Sequence, residues 1–241
     1  MKQSTIILIL LLATNSLKAD VLGFSLGVNY WNYDIEGTVK SPLSGNSQAA
    51  INFKQNNDLN PYVVFEHPVP FIPNFKLQQN NIESSGLIPV SDPLFFAGET
   101  VFVRGDINFS HVDLMLYYEI LDNWVNLDLG ISAKYFDGYQ RYHYADVIDE
   151  DSDFDDLIPM LYVKGQFDLP LTGLSASATV EALSFDRNKV TDIELALKYQ
   201  LKFGLGMDVG YRSLDVDLKN LNNFKGDIKM DGFFLGGYFE F

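Results

Sequence analysis

The residues that could do chemistry in this 241-residue chain are few and regularly placed. Asp106, Asp113, Asp128, Lys134, Lys164, Glu181, Glu194, Lys198, Asp208 and Arg212 each lie in a stretch where apolar and polar residues alternate, and each takes a polar position. Turned together into one interior, such charges must be paired or wetted, because an isolated buried charge is costly. Two arrangements meet that demand: a salt-bridged plug or a narrow polar channel. The plug is the plainer reading, since a small barrel is barely wide enough for its own side chains.

Other candidate chemistry is thinner. Residues 146–156 carry Asp146, Asp149, Glu150, Asp151, Asp153, Asp155 and Asp156. Carboxylates in this number suit Ca²⁺, yet counted from Asp149 the run lacks the glycine at position 6 and the glutamate at position 12 of an EF-hand loop. It reads as a solvated acidic loop, repelled from lipopolysaccharide phosphates or joined to them by divalent cations. His67, His111 and His143 share no ligand spacing, so no metal or other cofactor is expected. A membrane-embedded acyl hydrolase or transferase would need Ser and His together near one rim. His143 lies near an outer rim, but no Ser with a supporting acid is fixed beside it, and no enzyme is expected.

The elements that position these charges have a period of two. In residues 124–136, Val125, Leu127, Leu129, Ile131, Ala133 and Tyr135 alternate with Asn126, Asp128, Gly130, Ser132 and Lys134. Comparable strands are expected over 22–34, 49–66, 101–119, 157–169, 174–182, 192–201, 205–212 and 231–241, with a weaker one over 74–85. In 49–66 the apolar residues keep odd positions across a polar gap at 55–58, which reads as one strand with one apolar face. In 101–119 the apolar phase flips near Ser110 and His111, which reads as a β-bulge. Short turns at 121–123, 170–173 and 202–204 are set against longer polar connections at 36–48, 84–100, 138–156 and 218–226. That asymmetry, with an even strand number, predicts an all-β, closed, antiparallel, up-and-down transmembrane β-barrel. About ten strands are expected, or eight if the 74–85 strand and a partner fail. Both termini then fall on the periplasmic side.

The ends of the chain agree. Met1 to Ala19 has a basic start, an apolar run over 5–13 and a short polar exit, the pattern of a signal peptide cleaved before Asp20. The expected organisation is therefore a signal over 1–19 and a barrel over 20–241. Setting the signal aside leaves 15 basic against 32 acidic residues, or −17 net, which argues against nucleic acid as a partner. There is no cysteine, so no disulfide framework exists. Aromatic residues make up 14%, a surplus that aromatic girdles would explain. The last eleven residues place Phe233, Leu235, Gly237, Phe239 and Phe241 on one face, ending on an aromatic residue with no polar tail. In a soluble protein this would be a sticky edge; in a barrel it is the closing strand.

Gly27-Val28-Asn29-Tyr30-Trp31-Asn32-Tyr33 after the start at Asp20-Val21-Leu22-Gly23, together with Gly236-Gly237-Tyr238-Phe239-Glu240-Phe241, resembles a family of small Gram-negative outer-membrane barrels. The terminal strand, through Phe233, Leu235, Phe239 and Phe241, also resembles the signal read by the barrel-insertion machinery. The resemblance implies an exported, monomeric barrel whose partners are that machinery, outer-membrane lipid and lipopolysaccharide. It implies no catalytic residue. The role it leaves is structural or surface interaction, with passive passage of small solutes as the alternative.

Overall fold

The computed structural model describes residues 22–40, 48–91, 97–145, 148–185, 188–221 and 224–241. The expected signal segment lies outside them. Twelve strands follow one another: β1 (Gly23–Lys40), β2 (Gln48–Glu66), β3 (Asn74–Asn80), β4 (Glu83–Ser91), β5 (Thr100–Asn108), β6 (His111–Leu121), β7 (Val125–Tyr144), β8 (Ile148–Leu169), β9 (Leu174–Phe185), β10 (Asn188–Gln200), β11 (Leu205–Leu221) and β12 (Phe224–Glu240). All pairings are antiparallel. β3 and β4 are two halves of one stave, and β5 and β6 of another. Ten staves therefore close the barrel, with β1 paired to β12 and β7 to β8.

Outside, the lower staves carry a belt of exposed apolar residues. On β1 it includes Leu26, Val28 and Tyr30, on β10 Leu195 and Leu197, and on β12 Phe233 and Leu235. Along β1 and the residue before it the belt runs from Leu22 to Tyr30, about the length a tilted strand needs to cross a hydrocarbon layer. A water-soluble protein does not expose a continuous apolar girdle of this extent. Above the belt the outer face turns polar, through Asn32, Asp34 and Glu36 on β1 and Asp215, Asp217 and Lys219 on β11.

The staves run far beyond the belt, and several connections expected as loops are strand. β7 continues to Tyr144 and β8 starts at Ile148, so most of the acidic run is the upper part of β8, with Asp151, Asp153 and Asp155 exposed and Phe154 and Asp156 buried. β4 passes through Pro89 and extends to Ser91, which corrects the loop expected there. Pro89 is tolerated because β4 pairs only with β5.

Above the belt the wall parts in two places. β2 pairs with β3 only over Tyr62–Phe65, and the ladder stops at Pro61. β8 pairs with β9 only up to Leu161, two residues short of Pro159. Proline has no N–H to donate, so each ladder ends beside one. The first seam is stitched by side chains: the Asn81 N–H donates to Asn60 Oδ1 at 3.2 Å, Asn81 Nδ2 to the Leu59 carbonyl at 2.9 Å, and Ser84 Oγ to Asn56 Oδ1 at 2.6 Å. The upper barrel is thus two facing sheets, β2-β1-β12-β11-β10-β9 and β4-β5-β7-β8. Charge guards the freed β8 edge, as edge strands require.

Between these sheets lies the core. Trp31, Tyr33, Ile35, Ile51, Phe53, Val216 and Ile228 of the first meet Ile88, Val103, Ile107, Phe109, Phe136 and Ile158 of the second, all buried.

Candidate functional site

From the short-turn end upward, the lumen has three storeys. The lowest is a vestibule of about 440 Å³, open at that end and walled by charged and tyrosine side chains. Above it sits a buried ionic cluster. The apolar core fills the rest.

The ionic cluster follows from register. Asp113 and Lys134 lie directly opposite each other on β6 and β7, a favourable cross-strand pair. On the far wall Glu181 of β9 lies directly opposite Asp192 of β10, two like charges that repel. Lys134 reaches across the lumen and resolves this. Its Nζ donates to Asp113 Oδ2 at 2.9 Å, Asp192 Oδ2 at 2.9 Å and Glu181 Oε1 at 3.3 Å, and its side chain is wholly buried. Arg212 of β11 forks onto Asp192, with Nε to Oδ1 at 3.0 Å and Nη2 to Oδ2 at 2.6 Å. Its Nη1 donates to Asn80 Oδ1 at 2.5 Å, while Asn80 Nδ2 donates to Asp113 Oδ2 at 2.9 Å. The guanidinium lies 5.0 Å from the Trp31 ring centroid, where the cluster meets the core. Six staves are therefore cross-linked through the middle of the barrel. Asp113, Glu181 and Asp192 approach one another as ligands of a divalent ion would, but the Lys134 ammonium already occupies the place of the cation.

The ten charges read from the sequence divide three ways. Asp113, Lys134, Glu181 and Arg212 meet in the cluster. Asp128, Lys164, Glu194, Lys198 and Asp208 line the vestibule, where Lys164 Nζ lies 3.2 Å from Asp128 Oδ2. Asp106 is not inward: it faces out above the belt beside Arg104, at 3.4 Å. Sequence reasoning omitted Asp192, the acceptor for both cations, although it shares the even phase of Glu194 and Lys198. His111, weighed from the sequence only as a metal ligand, is buried beside the cluster, with Nδ1 2.9 Å from the Phe109 carbonyl oxygen and Nε2 3.6 Å from Asp113. Asn80 lay in the weakly patterned stretch 74–85, where no signal marked it.

The terminal strand closes the lowest turn. The Phe241 N–H donates to the Phe24 carbonyl at 2.9 Å, and the Phe241 ring packs 4.8 Å from Phe239 and 5.6 Å from Phe24. Phe233 and Leu235 point outward in the belt.

Among solved structures the chain is similar to the outer membrane protease OmpT of Escherichia coli, at 11% identity and a TM-score of 0.51, covering 95% of this chain and 99% of that one. The fold is that of outer-membrane barrels. The translocator domain of the autotransporter NalP from Neisseria meningitidis follows at 11% identity and TM-score 0.48, covering 100% of this chain and 95% of that one. The attachment invasion locus protein Ail of Yersinia pestis has 12% identity and TM-score 0.41, covering 92% and 99%. No protein-family model matches the chain, and no curated protein matches it.

Proposed function

We propose that this chain is a non-conducting barrel of the Gram-negative outer membrane, acting through structure and surface contact rather than transport. The carrying observation is the filled lumen: side chains of the ionic cluster occupy its mid-height and the apolar core occupies the part above. In this reading the short-turn end is periplasmic and the two-sheet extension stands outside the cell. Lipopolysaccharide surrounds the extension, and its polar outer face meets the sugar layer or an external partner. Phe233, Leu235, Phe239 and Phe241 serve the insertion machinery. The barrel acts as a monomer, without a catalytic role. The reading is tested by recording planar-bilayer currents from the refolded chain, after an unheated and a heated sample have shown different gel mobility. Electrical silence is the expected result; a steady unit conductance refutes it.

The vestibule favours one second reading, passage of small solutes. It ends blind beneath Lys134, so this reading requires the cluster to rearrange, and a bilayer current that rises when Lys134 is replaced would support it.

A further inference from the structure

The vestibule carries a feature that the plug does not explain. Its wall includes eight acidic residues, Asp208 among them, against Lys76, Lys164 and Lys198. Acidic residues alone do not make a site. Two buried oxygens, however, lie within it without a hydrogen-bond partner: Asn29 Oδ1 and Asp208 Oδ1, on residues 5% and 4% exposed. Both flank Gly236, which pairs with Asn29 on one side and Asp208 on the other. A Cβ at Gly236 would overlap both oxygens, so the missing side chain is what lets the two acceptors converge. Lys198 lies directly opposite Asp208 on β10, yet forms no ion pair with it among the described residues. Tyr62 and Tyr238 line the same cavity, and Lys76 Nζ already sits 4.9 Å from the Tyr62 ring centroid.

Unpaired buried acceptors call for a donor, and a carboxylate with an amide oxygen beside aromatic faces is a setting for an N–H-bearing cation. One storey up, the chain seats an ammonium of its own on three carboxylates. We propose that the vestibule binds an alkylammonium ligand from the periplasmic side, with one ammonium donating to Asn29 and Asp208. A cavity of about 440 Å³ accommodates a linear polyamine. The ligand leaves the plug in place, so the site is independent of whether the barrel conducts.

The test is calorimetric titration of the refolded mature chain with spermidine, comparing wild type with Asp208→Asn, Asn29→Ala and the outward-facing control Asp227→Asn. Folding of each is checked by its heat-dependent gel mobility. The expected result is one saturable site, weakened at least tenfold in Asp208→Asn and Asn29→Ala and unchanged in Asp227→Asn. Equal binding by wild type and Asp208→Asn would show that the ligand does not use the Asp208 carboxylate, and would overturn the proposal. Equal loss in Asp227→Asn would show binding to acidic surface in general, and would overturn it too. Should Asp208→Asn fail to refold, Asn29→Ala decides alone.

Discussion

Replacing Lys134 with methionine puts the ionic cluster to its hardest test. The ammonium is wholly buried and contacts Asp113, Asp192 and Glu181 at 2.9, 2.9 and 3.3 Å. Methionine keeps an unbranched chain as far as Cε but removes the charged nitrogen, leaving three carboxylates with Arg212 as their remaining cation. Removing one partner of a buried pair costs about 3–5 kcal/mol, because the other charge is left uncompensated. Here more than one carboxylate loses its partner, so the loss should reach at least that range. Lys164 is the internal comparison. It meets one carboxylate, Asp128, at 3.2 Å, and its side chain is 23% exposed in an open vestibule. Asp128 itself is 4% exposed, so Lys164→Met should cost about 1–3 kcal/mol, less than Lys134→Met. The assay is urea unfolding in lipid vesicles, followed by the fluorescence of Trp31, which lies at the junction of cluster and core. Combining Lys134→Met with Asp113→Asn and Glu181→Gln should restore much of the loss, since the orphaned charges go with their partner. A Lys134→Met barrel that unfolds at the wild-type urea concentration, or a Lys164→Met barrel equally damaged, refutes the reasoning.

Four further outcomes follow from geometry. Gly130→Ala should destabilise the barrel markedly, because a Cβ there meets backbone, with the Tyr117 Cα at 2.7 Å, whereas Gly165→Ala, with nothing within 4 Å, should be neutral in the same unfolding assay. Phe241→Ser should slow insertion by reconstituted insertion machinery while leaving spontaneous refolding in detergent nearly unchanged, measured as the heat-modifiable band over time. Trp31 is 1% exposed and Trp124 60% exposed in the belt region, so brominated lipid should quench Trp124 and spare Trp31, separable in Trp→Phe variants. Asp34 accepts the Gln55 N–H at 2.9 Å and meets Lys54 at 3.1 Å, which hold its carboxyl below the ordinary value. A lowered carboxylate contributes above its unfolded pKa and loses that contribution as pH falls through its folded one. The protection factor of the Gln55 amide, the exchange rate of an unstructured amide at the same pH divided by its own, should therefore fall below about pH 4 in the wild type and be low at every pH in Asp34→Ala.

Much of the fold was legible because half of each stave obeys one rule. Residues 124–136 and the closing strand state the period, the outward face and the even count without help from context. The short turns were legible from local chemistry, as where Gly173 and Gly204 take positive φ and their backbones meet Gln200 and Glu240. The upper staves were not. Asp, Glu, Ser and Gly in 138–156 look like loop composition, and an acidic edge strand uses the same residues to keep other edges away. The cluster was half visible: parity put Asp113, Lys134, Glu181 and Arg212 inside, but parity carries no height. Only the stagger of the staves brings Asp192 rather than Glu194 level with Lys134.

Two opposite misreadings on β2 and on the β5–β6 stave share one cause. Ala49, Ile51 and Phe53 have the same parity as Leu59, Pro61, Val63 and Phe65, which suggests one face; yet the first three are buried in the core and the others lie on the outer wall. Two residues of β2, Lys54 and Gln55, there oppose the single Asp34 of β1, with Gln55 at φ 62°: a bulge hidden by unbroken alternation. On the β5–β6 stave the apolar phase flips, which suggests a bulge, yet odd residues face inward from Val103 through Tyr117. The register against β7 is unbroken, three residues separating Asn108 from His111 and Tyr139 from Phe136 alike. The medium changes along the stave, not the backbone. In the belt the outside is lipid and the apolar side faces out; above it the outside is water and the apolar side faces in. Passing that boundary inverts the pattern of a straight strand, and a bulge at the same height inverts it back. Asp106 was drawn inward by this inversion. An alternation in such a chain therefore reports the product of strand geometry and surrounding solvent, and the two separate only where register to a neighbouring stave is known.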